Sequence, residues 1–222
     1  ETRRRALCAG AGKGGQMTVS RPRRASRRKR RVFRRFILWV LLLALAGVGA
    51  LYGADLLEGA RYKLEYRDLI ERYSAEQSLD PALVASMIYN ESRFNPSAVS
   101  RIGARGLMQI MPETGEWLAG KFGEAADYAP DRLFDANTNL RYGCWYLGYL
   151  SRLFGGDMVK MAAGYHAGQN RVARWLEDRS ISPDGHTLPV DKIPFADTKQ
   201  YVERVVKAHA IYQKRYWSEK AR

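Results

Sequence analysis

From Phe36 to Ala54 the sequence reads FILWVLLLALAGVGALYGA, 19 residues without a charge. As a helix such a run is roughly 30 Å long, the thickness of a bilayer's hydrocarbon layer. A surface helix would show polar positions every few residues, and none interrupts this one. The run therefore predicts a membrane-spanning helix. A cleaved signal peptide is the rival reading, since Gly47, Gly49 and Ala50 supply small residues for a cleavage point, but the run exceeds the usual apolar stretch of such a leader.

Charge is distributed to match. Of 37 Lys and Arg, 14 lie in residues 1–35 with a single acidic residue, Glu1, which leaves 23 basic against 22 acidic residues for the rest. The net charge of +14 thus belongs to the tail RPRRASRRKRRVFRR and not to a basic folded surface, which argues against a nucleic-acid partner. An Arg-rich flank before the span, with Asp55 and Glu58 after it, predicts an N-terminus on the cytoplasmic side. The expected organisation is a basic cytoplasmic tail (1–35), a transmembrane anchor or uncleaved signal (36–54) and an extracytoplasmic domain (55–222) held close to the membrane. Met17 is a candidate start, and residues 1–16 are set aside in the fold reasoning. Cys8 and Cys144 fall on opposite sides of the expected membrane, so no disulfide framework follows.

The remainder reads as one mainly α domain. Tyr62, Tyr66, Leu69, Ile70 and Tyr73 recur at helical spacing and predict a first helix to about Ser74. Asp80-Pro81 has the form of an N-cap and first helical residue, followed by an apolar face of Leu83, Val84, Met87 and Ile88, with Asn95-Pro96 closing the helix. Pro112-Glu113, Asp135 and Asp157 open further helices, a short one carries Val172, Trp175 and Leu176, and DTKQYVERVVKAHAIYQKRYW closes the chain. Strand signals are almost absent. The stretch from Ser180 to Pro194 reads as a small hairpin or a flexible flap.

Glu91 lies three residues after Ile88 and four after Met87, on their inward face. Burial disfavours the carboxylate anion and raises the pKa, by about two units, so that the group stays protonated near neutrality and can donate a proton. The competing reading is a frayed helix end with Glu91 turned to water or paired with Arg93. Further on, Gln109 stands between Met108 and Ile110, a polar group in apolar company that needs a partner, which a sugar amide or hydroxyl or the backbone can supply.

Four segments, ESRFNP, GARGLMQIMP, GYHAGQNRV and IPFADTKQYV, resemble in order and separation the lytic transglycosylase domain of the soluble-lytic-transglycosylase (SLT) family, over roughly Glu65 to Tyr216. The resemblance implies a lysozyme-like α-helical fold with Glu91 as catalytic acid and base and Ser92 beside it. It implies that Met108 and Gln109 line the glycan subsites, that Tyr165, His166 and Ala167 form a wall of the cleft, and that the hydroxyl of Tyr201 reaches the catalytic carboxyl. The chain departs from the family pattern at three places: Gly164 replaces an Ala, His166 stands where Asn is usual, and Asp197 replaces a Glu.

The resemblance also implies a reaction. Ordinary glycosidases use two carboxylates, and this sequence offers one convincing candidate, since Glu113, Glu116, Asp131 and Asp135 fall at loop or cap positions. One suffices if the substrate's own acetamido group stabilises the charge and its own 6-hydroxyl closes onto C1, giving a 1,6-anhydromuramoyl end on peptidoglycan strands. A lysozyme-like hydrolase and a non-catalytic wall-binding module are the alternatives. His166, His186 and His209 show no metal-ligand spacing, so neither a metal nor another cofactor is expected.

Overall fold

The computed structural model describes residues 24–218, with side chains from Val32 onward. The chain divides into two compact units, Glu1–Leu56 and Leu57–Arg222.

In the first unit the described residues belong to one helix, α1 (Arg24–Arg61), whose last turn enters the second unit. Within α1, Val32–Arg61 is long and apolar enough to cross a membrane, with a mean hydropathy of 2.2 at its most apolar stretch and that stretch left unburied.

The second unit is helical. The elements after α1 are α2 (Arg67–Glu76), α3 (Pro81–Ser92), α4 (Pro112–Lys121), α5 (Ala136–Phe154), α6 (Met158–Ala167), α7 (Gln169–Glu177) and α8 (Ala196–Tyr212), with short 3-10 turns at 125–127, 130–134 and 190–192. Among the described residues extended structure is confined to isolated bridges, Val99 with Arg105 and Arg105 with Ile110.

α3 is the central helix: every residue from Ala82 to Tyr89 is buried. It can be apolar all round because neighbours cover it on every side, α8 most extensively. Its start is fixed as expected, Asp80 accepting the Ala82 N–H at 2.8 Å ahead of Pro81. Asp135 and Asp157 cap α5 and α6 in the same way, accepting from Thr138 and Lys160.

Two expectations need correction. The first helix does not run unbroken to Ser74: α1 ends at Arg61, Tyr66 is left-handed (φ 54°), and α2 starts afresh at Arg67. Tyr62 is buried because its ring meets Tyr89 and Tyr212, centroids 4.5 and 5.9 Å away, and that tertiary contact mimicked a helical period. The 180–194 stretch is neither hairpin nor loose flap. Asp184 accepts from the backbone of His186 and Thr187 and from the Thr187 hydroxyl, while Leu188 and Ile193 are buried in the core.

Candidate active site

α3 ends one residue beyond Glu91, where Arg93 turns left-handed (φ 55°), so Glu91 sits in the last turn, three residues earlier than Asn95-Pro96 would have closed it. The carboxyl is partly buried. Tyr201 of α8, itself buried, donates its hydroxyl to Glu91 Oε1 at 2.6 Å; that hydroxyl also lies 3.5 Å from the Met87 sulfur. Among the described residues Oε2 has no hydrogen-bond partner.

Burial pushes the Glu91 pKa up to about 7, against the opposing pull of the Tyr201 hydrogen bond and the Arg204 charge. Desolvation is the dominant cause, and no neighbouring acid contributes to the rise. Arg93 does not pair with Glu91; its guanidinium lies over the Tyr89 ring at 3.7 Å. Carboxyls elsewhere have other duties: Asp131 meets Arg105 at 2.5 Å, Asp135 caps α5, and Glu124 is gripped by Arg141.

Facing α3 is the loop 98–111, fastened by side chains from three helices. Ser92 donates its hydroxyl to Leu107 O at 2.7 Å, and Tyr165 of α6 donates to Met108 O at 2.8 Å. Asn139 of α5, fully buried, accepts the Met108 N–H at 2.8 Å and donates to Arg105 O and Leu133 O. Gly106 is left-handed (φ 76°) and a Cβ there would strike Leu133 O and the Asn139 amide, so glycine is required for both reasons.

Gln109, left-handed at φ 49°, donates its amide to Ala98 O at 3.1 Å and Gly106 O at 2.9 Å, so of the partners the sequence left open the backbone takes the NH2 group. Its remaining surface still faces a small hollow of 120 Å³ shared with Met111, Thr114, Tyr146 and Tyr165. Met108 differs from expectation: it is fully buried, its side chain against Gly143 and its N–H and C=O held by Asn139 and Tyr165, so it braces the loop and does not line the cleft.

The hollow shares Thr114 and Tyr146 with a neighbouring, wider groove of about 560 Å³ that includes Trp117, Ala167, Gln169 and Arg174. Trp117 is 43% exposed and forms edge contacts with Trp145, Tyr146 and Tyr149. Flat exposed aromatics suit sugar faces. Sequence reasoning missed Met111, Thr114, Trp117 and Tyr146, although Thr114 and Trp117 share one face of α4 at i, i+3 spacing.

At the other side His166 stacks on Tyr201, centroids 4.6 Å apart, with Nδ1 at 3.1 Å from Thr198 Oγ1. One edge stays exposed, yet the covered face is dehydrated and this lowers the imidazole pKa; Asp197 acts against that and Arg204 with it. The neighbouring Gly164 also has a structural reason, since a methyl group there would press on the Phe154 ring at 2.9 Å. The structure thus brings Glu91, Tyr201 and His166 together through hydrogen bond and ring contact, fastens Ser92, Met108 and Tyr165 around the opposite loop, and sets Gln109 and Ala167 along the adjoining groove.

Comparison with known proteins gives a consistent picture. A family model described as the transglycosylase SLT domain matches residues 68–186. The soluble lytic murein transglycosylase of Escherichia coli K12 is 35% identical over 153 residues, which are 69% of this chain and 24% of that protein. That of Salmonella typhimurium is 34% identical over the same length. Among solved structures, the 70 kDa soluble lytic transglycosylase SLT70 of E. coli superposes with a TM-score of 0.66 at 31% identity, covering 74% of this chain and 26% of that one. An inactive glutamate-to-glutamine mutant of the lytic transglycosylase Slt from Pseudomonas aeruginosa gives 0.63 at 32% identity, covering 70% and 25%. The fold is the lysozyme-like helical fold of SLT70, and the chain spans about a quarter of the length of the curated relatives it matches. The chain belongs to the transglycosylase SLT domain family.

Proposed function

We propose that this protein is a peptidoglycan lytic transglycosylase acting through Glu91. The observation that carries the reading is a partly buried carboxyl with a pKa of about 7, oriented by one phenol and lacking a second carboxylate partner. Near neutral pH a large fraction of it is protonated and able to act as a general acid.

Glu91 gives its proton to the oxygen of the β-1,4 bond between N-acetylmuramic acid and N-acetylglucosamine, and the C1–O bond breaks. The acetamido carbonyl of the muramoyl residue stabilises the positive charge left on C1. The muramoyl 6-hydroxyl then attacks C1 while Glu91, now a base, takes its proton. The ring closes as a 1,6-anhydro sugar, the carboxyl is protonated again, and no water enters the products. Tyr201 holds Oε1, so that Oε2 carries the proton. The exposed ring of Trp117 in the adjoining groove, which Ala167 also lines, offers a stacking surface for neighbouring sugars, and His166 forms the other edge.

The domain arrangement follows the same reading: residues 1–35 as a cytoplasmic tail, 36–54 as an anchor and 55–222 as the catalytic domain on the side of the membrane where peptidoglycan lies. The length and hydropathy of α1 support it.

Mass spectrometry of fragments released from purified peptidoglycan tests the chemistry. Anhydro ends, one water lighter than hydrolysed ends, are expected from the wild type and none from Glu91→Gln. Full-mass reducing ends would make the protein a hydrolase, and equal activity of the two proteins would remove Glu91 from the reaction.

A further inference from the structure

Residues 36–222 carry almost balanced charge, yet one flank of α3 gathers cations. Arg61 at the end of α1, Arg93 just past α3, and Arg204 and Lys207 on α8 line a cleft of about 180 Å³ together with Tyr89 and Asn90, the residue before Glu91. A wider hollow continues from it past Arg61 and Arg93 toward Lys63.

Two acids flank this cluster, Glu65 at 3.0 Å from Lys63 and Glu58 at 3.5 Å from Arg215 and beside Arg61 and Lys207, which leaves the cations in excess. Arg93 rests on the Tyr89 ring, and among the described residues Arg61, Arg204 and Lys207 have no carboxylate partner. Like charges set around a concavity repel one another, and the arrangement creates a field that an anion relieves.

The cleft adjoins the catalytic centre: Asn90 in its lining directly precedes Glu91, and Arg204 lies one turn along α8 from Tyr201, which holds Glu91. Whatever occupies the cleft is therefore within reach of a molecule whose bond lies at Glu91. Three guanidinium groups suit planar, bidentate carboxylates. We propose that the Arg61–Arg93–Arg204–Lys207 cleft binds carboxylates of the peptide stems on the glycan strand being cut, so that strands with anionic stems are preferred. The proposal rests on the functional reading given above.

The test compares the full chain in detergent with an Arg61→Gln/Lys207→Gln variant, both positions being exposed and away from the reacting atoms. The substrates are glycan strands with free stem carboxylates and the same strands with those carboxylates amidated. Wild type is expected to show a KM about tenfold lower on the free-carboxylate strands, and the variant to lose that advantage through KM while its rate on amidated strands is unchanged. An unaltered preference in the variant, or an equal loss on both substrates, would overturn the proposal. So would a variant that keeps its KM but loses binding to vesicles containing phosphatidylglycerol, which would assign the cations to lipid. A wild type that cleaves neither substrate would instead sink the functional reading, and this inference with it.

Discussion

The two walls of the candidate site are built on opposite plans. On the α3 side a single polar atom pair matters: Glu91 and the Tyr201 hydroxyl, set in a buried apolar helix. On the other side the loop 98–111 carries no reacting group, yet Ser92, Asn139, Tyr165 and Gln109 together bind at least six of its carbonyl and amide contacts. One wall supplies chemistry at some cost in stability; the other supplies shape and is stabilised by polar satisfaction. Substitutions should therefore separate the two.

Glu91→Gln is the sharpest way to separate them. It should lower the rate of peptidoglycan cleavage by about a thousandfold or more, since it removes both acid and base, while the circular dichroism spectrum stays unchanged. An inactive but folded protein is the expected outcome; an unfolded one would mean that Glu91 also carries structure.

Asn139→Ala breaks the opposite wall. It strands two backbone carbonyls and one N–H in a buried place and should lower unfolding free energy by about 3 kcal/mol in urea melts. The reaction should survive at low temperature. A loss below about 1 kcal/mol would show that water replaces the amide.

A pH series sharpens the contrast. Because the Glu91 pKa is raised from 4.5 to about 7 in the folded state, its contribution is most favourable below pH 4.5 and is lost as pH rises through 7. The penalty above pH 7 is about 3 kcal/mol by linkage, so Glu91→Gln should be more stable than wild type at pH 8 and not at pH 4. Cleavage should decline on the alkaline side of pH 7 as the acid is lost.

Tyr201→Phe makes the smallest change. The phenol lowers the Glu91 pKa, so without it the alkaline limb of the rate profile should move to higher pH. A limb that stays fixed or moves down would show that the phenol does not tune the carboxyl.

The sequence carries some of these features openly and hides others. Glu91 is legible because its place on an apolar helical period forces it inward, and the caps at Asp80, Asp135 and Asp157 are local chemistry that tertiary packing does not override. Asn139 is illegible: an Asn in the first turn of a helix reads as a side chain turned to water, and its three partners lie 6, 31 and 34 residues away. Gln109 was half legible: its need for a partner was visible, but the choice of Gly106 O follows from a left-handed backbone that no spacing rule reveals. Trp117 gave no signal, because periodicity cannot tell a filled face from an open groove.

α5 holds the floor of the site with glycines at two levels: Gly143 receives the Met108 sulfur and Gly148 receives Gln77. Each notch is filled by a side chain from another element, so α5 cannot loosen without freeing the loop 98–111 as well. In native-state hydrogen exchange, the amides of α5 and that of Met108 should open together as one cooperative unit, separately from the helix ends that fray.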